Sequence, residues 1–274
     1  MITPTARGRF SAAVAVAEDE VDLARAALLI AAEEYPQLVP EIYLQRLDYY
    51  AERVKDRLAN ENAPPVVLGE ISRLLFEEEG FRGNAEAYYD PRNSFLNDVL
   101  DRKLGIPITL AIVFVEVGWR LGLPLHGVNF PGHFLVRYEG EALRLLIDPF
   151  HGGQIRFEDQ AQDLLDKVYG RTVTLQPEFL RRASRKDMLV RLLWNLKTIY
   201  LNNRDDTRAL AAIERVLLIR PHSIDDVRDL GMVLARLGRN AEAADALDRY
   251  LDLAPEAGDA ARVRALLDSL RSAE

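Results

Sequence analysis

The residues best suited to chemistry are a histidine and an aspartate at the ends of two short apolar segments. His133 precedes the segment Phe134 to Val136, and Asp148 follows Ile147. A histidine oriented by a carboxylate is the general-base part of a catalytic triad, whose third member is a nucleophile, often a thiol. The chain has no cysteine. The pair therefore predicts chemistry with an oxygen nucleophile, a binding role, or only a buried histidine held by a carboxylate.

Two hydroxyl side chains precede this pair in the sequence. Thr109 lies at the start of a long apolar segment, and Ser94 follows an Asn- and Pro-rich loop. A hydroxyl is barely ionised at neutral pH, so Thr109 would act as a nucleophile only beside a close base. We expect Thr109 instead to hydrogen-bond the backbone of its helix, and Ser94 to cap a short helix that runs to Asp101.

Polar residues in the surrounding loops form a second candidate set. Such side chains near a histidine and an aspartate suit a pocket for an amide or a carboxylate. The alternative is that they only tie the loop backbone together. The four residues of this set are Arg82, Asn84, Asn93 and Asn129.

A metal site is the weaker interpretation of the histidines. His126, His133 and His151 with Asp148 match no standard zinc spacing, and cysteine ligands are absent from the sequence. We therefore predict no metal and no cofactor. His126 and His151 are expected to be polar surface or loop groups.

Composition excludes several classes of protein. The 274 residues are enough for two domains, and a net charge of −8 with a pI near 5.2 argues against a nucleic-acid partner. The basic cluster from Arg181 to Lys186 is interpreted as a solvated linker. The longest apolar run, Ile106 to Val115, is too short to span a bilayer and no signal peptide is evident. We expect a cytoplasmic protein without a membrane partner, and the sequence indicates no oligomeric state.

The elements that would position the pair are helices followed by strands. Apolar residues at helical spacing predict helices before Pro36 and from Tyr43 to Leu58, and a helix opened by Pro107 and closed by Gly122. A loop with defined turns covers residues 81–93. The fold class expected is α+β and mostly helical.

Three short apolar segments predict an antiparallel sheet: Leu125–Asn129, Phe134–Tyr138 and Leu143–Ile147. Pairing across the turn after Tyr138 should bring Phe134 near Ile147, and His133 within about 6 Å of Asp148. A helix from Glu158 to Tyr169 should follow.

The C-terminal part contains an internal repeat. Pro221 and Pro255 are separated by 34 residues, with small residues Ala209 and Ala243 in register before them. A 34-residue helix-turn-helix period is the signature of tetratricopeptide repeats, whose groove binds a protein or peptide. The helix predicted at residues 259–271 would cover the end.

The domain boundaries expected are 1–170 for a helical region with a helix-and-sheet core, 171–183 for a connector, and 184–274 for the repeats. Two repeats are fewer than the three or so that stabilise an array alone. We therefore expect the repeats to dock on the rest of the chain through a first helix that carries Leu189, Leu192, Leu193 and Trp194.

Several motifs carry a family resemblance. They are Phe81-Arg82-Gly83-Asn84, Tyr89-Asp90-x-x-Asn93-Ser94, Gly105-Ile106-Pro107-Ile108-Thr109-Leu110, Arg120-Leu121-Gly122-Leu123-Pro124, Gly127-Val128-Asn129-Phe130-Pro131-Gly132-His133-Phe134 and Asp148-Pro149-Phe150. On these the chain resembles the bacterial SirB family, described as transglutaminase-like proteins with tetratricopeptide repeats that regulate sirC expression. The resemblance covers nearly the whole chain and implies the fold more than an activity.

The resemblance extends to transglutaminase-like enzymes, which place a cysteine at the start of a buried helix and a histidine and an aspartate on adjacent strands. It puts Pro107 at the position of the cysteine, or Thr109 after a two-residue slip, with His133 and Asp148 at the other two positions. We therefore expect a non-catalytic scaffold or regulator that binds a protein or peptide. The alternative is an amide or ester hydrolase or acyl transferase that uses an oxygen nucleophile.

Overall fold

The computed structural model describes residues 5–272 of the chain. The fold is α+β and mostly helical, as predicted. The residues form two compact units, one ending at Leu189 and the other beginning at Val190. No helix in the described range has the length and apolarity that a membrane span requires.

Three of the helices described in the first unit begin with a proline. Proline suits the first turn of a helix, because its fixed φ is helical and its missing N–H would have no partner there. Pro40, Pro64 and Pro107 each occupy this position. The helices are α1 (Ala6–Val14), α2 (Leu23–Ala31), α3 (Pro40–Leu58), α4 (Pro64–Ser72), α5 (Leu96–Arg102), α6 (Pro107–Arg120) and α7 (Ala161–Tyr169).

Helix α6 is the central element of the first unit. Every residue from Pro107 to Gly118 is buried, including Thr109 and Glu116. The buried Glu116 carboxylate accepts a hydrogen bond from the Ala24 N–H at the start of α2 (2.9 Å) and pairs with Arg120. Because α6 is buried on all sides, the elements that carry the site pack around it and are held in fixed positions.

Two very short strands precede α6, and the first of them lies in the segment that was expected to be a loop. Strand β1 (Arg82–Gly83) pairs in parallel with β2 (Leu104–Gly105). The Asn84 N–H then donates to the Gly105 carbonyl (2.9 Å). A strand of two residues has no periodicity, so no pattern in the sequence predicts either strand.

The main sheet has the strand order β6-β5-β4-β3-β7 and is antiparallel throughout. The three predicted strands are present within one residue at each end. The added edge strands β6 and β7 were missed, because one is largely exposed and the other has only two residues. The strands are β3 (Leu125–Val128), β4 (Leu135–Glu139), β5 (Arg144–Asp148), β6 (Gln154–Phe157) and β7 (Arg182–Ala183).

The predicted strand register was wrong by two residues. Val136, and not Phe134, lies opposite Ile147. The turn lies one residue later in the chain than assumed, at residues 140–143, since Glu139 pairs with Arg144 and the Gly140 N–H donates to the Leu143 carbonyl (3.0 Å). A register shift of two residues keeps each side chain on the same face, so the predicted face of the sheet was unaffected.

The second unit consists of helical hairpins with the expected repeat. Ala209 and Ala243 are fully buried, and Gly231 lies so close to Leu247 that a Cβ would come within 2.5 Å of that side chain. Both repeat prolines follow the end of a helix. The helices are α8 (Arg185–Asn202), which begins in the first unit, α9 (Asp206–Ile219), α10 (Ile224–Arg236), α11 (Asn240–Leu253) and α12 (Ala260–Ser272).

Candidate functional site

Asp148, the last residue of β5, is the centre of the candidate site. Its side chain is 3% exposed and accepts a hydrogen bond at Oδ1 from the His133 Nε2 (2.9 Å). The second oxygen, Oδ2, lies 2.8 Å from the His151 Nδ1, and the His151 backbone N–H donates to Oδ1 (3.3 Å). The predicted proximity of His133 and Asp148 is confirmed.

The environment of Asp148 favours its ionised form. Burial raises the pKa of the carboxyl, but the hydrogen bonds and electrostatic attraction of His133 and His151 outweigh this effect, so the pKa lies below its usual value. The buried carboxylate therefore holds two imidazoles at once. This arrangement suits a base that abstracts a proton, or a set of ligands for a cation.

His151 belongs to the site, contrary to the expectation that it is only a loop group. A short 3-10 turn, Pro149–His151, follows β5 and brings the His151 side chain back to the Asp148 carboxylate. Gly152 and Gly153 continue the turn at positive φ, and the Gly153 N–H donates to the Asp148 carbonyl (2.8 Å). The signal in the sequence was the Asp148-Pro149-x-His151-Gly152-Gly153 spacing, because proline and glycine favour a tight turn that brings His151 close to Asp148.

Phe150 packs the turn against the neighbouring elements. Its ring meets the edge of the His133 ring (centroids 5.9 Å apart) and the Tyr88 ring (6.2 Å). A Cβ on Gly83 would lie 2.6 Å from the Phe150 ring and 2.7 Å from its carbonyl oxygen. Glycine at this position therefore lets β1 approach the turn and fix the site from a second side.

The position expected for a nucleophile holds no reactive side chain. Pro107 is the first residue of α6 and is buried. The Thr109 hydroxyl accepts from the Ile106 N–H (3.1 Å) and donates to the Asn93 carbonyl (2.7 Å). Both hydrogen-bonding directions of this hydroxyl are in use, so the expected backbone role of Thr109 is confirmed.

Ser94 does not cap a helix, contrary to the prediction. Its backbone N–H closes the turn Pro91–Asn93 (2.9 Å to the Pro91 carbonyl), and α5 begins later, at Leu96. The Ser94 Oγ is buried and has no hydrogen-bond partner among the described residues. The sequence pattern failed because Phe95, without a capping side chain, precedes the helix.

Two members of the polar loop set hold the loop together. The Asn84 Nδ2 donates to the Asn93 Oδ1 (3.0 Å), and the Asn93 Nδ2 donates to the Ala87 carbonyl (2.7 Å). Asn93 is fully buried. Arg82 and Asn129 are exposed, and their side chains make no hydrogen bond or ion pair with the described residues. The ligand-binding role assigned to these four residues stays a prediction.

The first unit also contains a cavity of about 450 Å³, which the sequence did not reveal. It is lined by the Arg185 guanidinium, which stacks on the Trp119 ring at 4.6 Å, together with His126 and Arg182. Burial lowers the pKa of the His126 imidazole, and the positive charge of Arg182 lowers it further. Arg185 also donates hydrogen bonds to the backbone carbonyls of Asp19 and Val21. The basic cluster is therefore partly enclosed by other residues of the first unit.

Two parts of the chain match the models of known families. Residues 41–194 match the model of the transglutaminase-like superfamily, and residues 196–268 match a tetratricopeptide repeat. The chain belongs to the transglutaminase-like superfamily and, within it, to the group of proteins named UPF0162. No solved structure matches the chain at a significant level.

Relatives named UPF0162 protein extend over most of the chain. One from Xylella fastidiosa strain 9a5c is 37% identical over 261 residues, which is 94% of this chain and 93% of the relative. One from Pseudomonas aeruginosa is 34% identical over 207 residues, 75% of each chain. F-box only protein 21 of Mus musculus is 38% identical over 96 residues, 32% of this chain and 15% of that protein.

Proposed function

We propose that this protein is a non-catalytic, cytoplasmic scaffold or regulator that binds a protein or peptide through its tetratricopeptide repeats. The observation that carries the proposal is the start of α6. A thiolate at a helix start beside a histidine is the nucleophile that such a core would use. Here α6 starts with Pro107. The one hydroxyl in α6, that of Thr109, accepts a hydrogen bond from one backbone group and donates a hydrogen bond to another.

The second unit supplies a surface suited to a peptide. A cavity of about 310 Å³ lies among α9, α10 and α11, with Leu230 and Leu234 on its apolar wall. Side chains of both charges surround it, including Glu214, Arg239 and Arg249. An apolar centre with a polar rim is the usual anatomy of a protein-binding site. The resemblance to the SirB family supports a regulatory role for the complex.

Crosslinking in the native host tests the binding surface. Cells carrying the tagged wild-type chain, Leu230→Glu or Leu218→Glu are crosslinked, and the captured proteins are identified by mass spectrometry. Leu218 lies on α9 with 41% of its surface exposed and does not line the cavity, so it is the matched control. The proposal predicts a partner that is captured by the wild type and by Leu218→Glu, and reduced at least tenfold by Leu230→Glu. Equal capture by all three chains would refute the proposed surface.

A second function is supported by the intact histidine–aspartate pair. At 2.9 Å from Asp148, the His133 ring is oriented as a general base that activates water for hydrolysis of an amide or ester, or an acyl transfer. Incubation with peptide amides, esters and an amine acceptor tests this alternative. Turnover that disappears in His133→Ala would establish it, and loss as well in a Thr109→Ala chain that melts at the wild-type temperature would identify Thr109 as the nucleophile. The leading proposal predicts no turnover above the His133→Ala control.

A further inference from the structure

We propose that His133, Asp148 and His151 bind one divalent transition-metal ion of the Zn²⁺ class. The site goes beyond the proposed function and is independent of it. One donor atom from each residue lies within 4.8 Å of the other two. No other such group of three is present among residues 5–272.

The donor set matches the chemistry of zinc. Two imidazoles and one carboxylate are the protein ligands of a common class of zinc site, in which water occupies the fourth position. Imidazole nitrogen also suits Fe²⁺, Co²⁺ and Ni²⁺, whereas Mg²⁺ and Ca²⁺ prefer oxygen ligands. Selectivity for a transition metal over the alkaline-earth ions therefore follows from the two histidines.

The distances allow an ion to replace the present hydrogen bonds. Each imidazole nitrogen is already 2.8–2.9 Å from a carboxylate oxygen. With bonds of about 2.0–2.2 Å, neighbouring ligand atoms around zinc lie about 3–3.5 Å apart. The two imidazoles contact different oxygens of Asp148, and the three donor atoms lie within 4.8 Å of one another, so the ligands must draw together by no more than about 1–2 Å. The His151 side chain is 58% exposed and so has room to move.

The remaining parts of the site are held in place. The Asp148 side chain is buried at 3% exposure and His133 at 12%, so two of the three ligands have little freedom. The turn that carries His151 is fixed at its far end, where the Ser72 hydroxyl donates to the Gly153 carbonyl (3.1 Å). A site preorganised in this way loses little conformational entropy on binding.

Both histidines can present a lone pair to an ion. Binding through the His133 Nε2 and the His151 Nδ1 places the remaining proton on the opposite nitrogen of each ring. Within the described part of the chain, no protein group hydrogen-bonds either opposite nitrogen, so no contact opposes that tautomer. The exposed His151 leaves one side of the ion open to water.

The test is direct metal binding to the untagged, EDTA-stripped chain. Titration with Zn²⁺ by calorimetry, and with Co²⁺ by visible absorption, should show one ion per chain. Co²⁺ should give a ligand-field band between about 500 and 650 nm, which reports nitrogen and oxygen ligands in low coordination number and does not depend on any activity. His151→Ala should weaken Zn²⁺ binding by at least about tenfold, because loss of even an outer-shell partner of a ligand typically costs about 10–100-fold in affinity.

The matched control is His222→Ala, which removes an exposed histidine of the second unit. It should leave affinity and spectrum unchanged. Because His151 is exposed, His151→Ala should fold normally, which a melting curve in EDTA verifies. The proposal is overturned if the wild type binds less than half an ion per chain at 50 µM Zn²⁺. It is also overturned if His151→Ala and the wild type bind equally.

Discussion

At the residue scale, the buried Asp148 carboxylate connects two histidines from different elements. His133 precedes β4, and His151 closes the turn after β5. Hydrogen bonds from two imidazoles and a backbone N–H hold an anion that burial would otherwise disfavour. The site is thus a carboxylate with two partners, and its chemistry depends on keeping both.

Removing the charge of Asp148 should destabilise the first unit. An asparagine lacks the negative charge and replaces one of the two acceptor oxygens, each of which now bonds a different imidazole, with an amide nitrogen that only donates. We predict that Asp148→Asn lowers the free energy of unfolding by about 1.5–3 kcal/mol, the range for hydrogen bonds to a charged group. Urea unfolding in EDTA measures this without a metal contribution. The exposed Asp159→Asn is the control, and equal losses in the two variants would contradict the central role of Asp148.

The Thr109 hydroxyl should be structural. Thr109→Val keeps the shape of the side chain but leaves the Ile106 N–H and the Asn93 carbonyl without this partner. We predict a loss of about 1–3 kcal/mol in the free energy of unfolding, whereas Thr109→Ser should retain most of the stability. Denaturant titration of the three proteins decides the matter. A valine variant as stable as the wild type would show that the hydroxyl is not needed by the fold.

His126 should make stability depend on pH. Its pKa is lowered in the folded chain, first by burial and then by Arg182, so the unfolded chain binds the proton more readily. The stabilising contribution is complete above the unfolded pKa of about 6.5 and is lost as pH falls through the folded value. We predict that stability between about pH 7 and 5 falls less steeply in His126→Gln than in the wild type. His222→Gln should retain the wild-type slope, and equal slopes in all three chains would exclude the effect.

At the element scale, close packing of the repeat helices depends on small residues. Gly231 of α10 lies against Leu247 of α11, and a Cβ there would come 2.5–2.6 Å from two Leu247 side-chain atoms. We predict that Gly231→Ala destabilises the second unit by about 1–3 kcal/mol through overpacking. At Gly258 a Cβ would meet nothing within 4 Å, so Gly258→Ala should change stability by less than about 0.5 kcal/mol. Thermal unfolding of both variants provides the comparison.

The sequence predicted those parts of the fold that have a period or a strong local signal. Helices α3 and α6, the repeats and strands β3 to β5 each bury a regular set of side chains, and Pro107 and Gly170 mark helix ends. The register of β4 and β5 was missed because it depends on which residues form the turn, and the turn lies one residue later than the Glu139–Gly140–Glu141 pattern suggested. Strand β7 was missed because only its pairing with β3 makes it a strand.

The site was predicted less completely than the fold. His133 and Asp148 could be paired because His133 precedes one predicted strand and Asp148 follows the antiparallel strand that pairs with it. His151 was assigned to a loop because its contact with Asp148 depends on the tight turn from Pro149 to Gly153. The spacing of the two residues in the sequence does not by itself predict that turn. The cavity beside Trp119 joins residues separated by more than 60 positions. Residues so far apart in the sequence form no local sequence pattern that would predict the cavity.

At the scale of the whole molecule, the segment after Gly170 is part of the first unit. Strand β7 pairs with β3, and Leu180 is buried in the cluster that contains Val128 and Leu135. Arg185 adds hydrogen bonds to the Asp19 and Val21 carbonyls. The basic segment that the sequence suggested to be a solvated linker therefore contributes to this unit.

A truncated chain should reveal this contribution. We predict that residues 1–170 give little soluble protein, because the cut removes an edge strand and uncovers apolar surface. Residues 1–203, which keep β7 and all of α8, should be soluble with a cooperative melt. Soluble yield and melting temperature are compared for the two fragments. Equal melting temperatures would show that the segment from 171 to 203 is dispensable.

The most direct test of the central claim is rescue of a deletion strain of the native host, measured as genome-wide transcript levels. The strain is complemented with the wild type, His133→Ala, Leu230→Glu or Leu218→Glu, with protein abundance matched by immunoblot. A non-catalytic binding protein predicts that His133→Ala and Leu218→Glu restore the wild-type transcript pattern and that Leu230→Glu does not. Failure of His133→Ala together with full rescue by Leu230→Glu would contradict the account and establish that chemistry at His133 is the function.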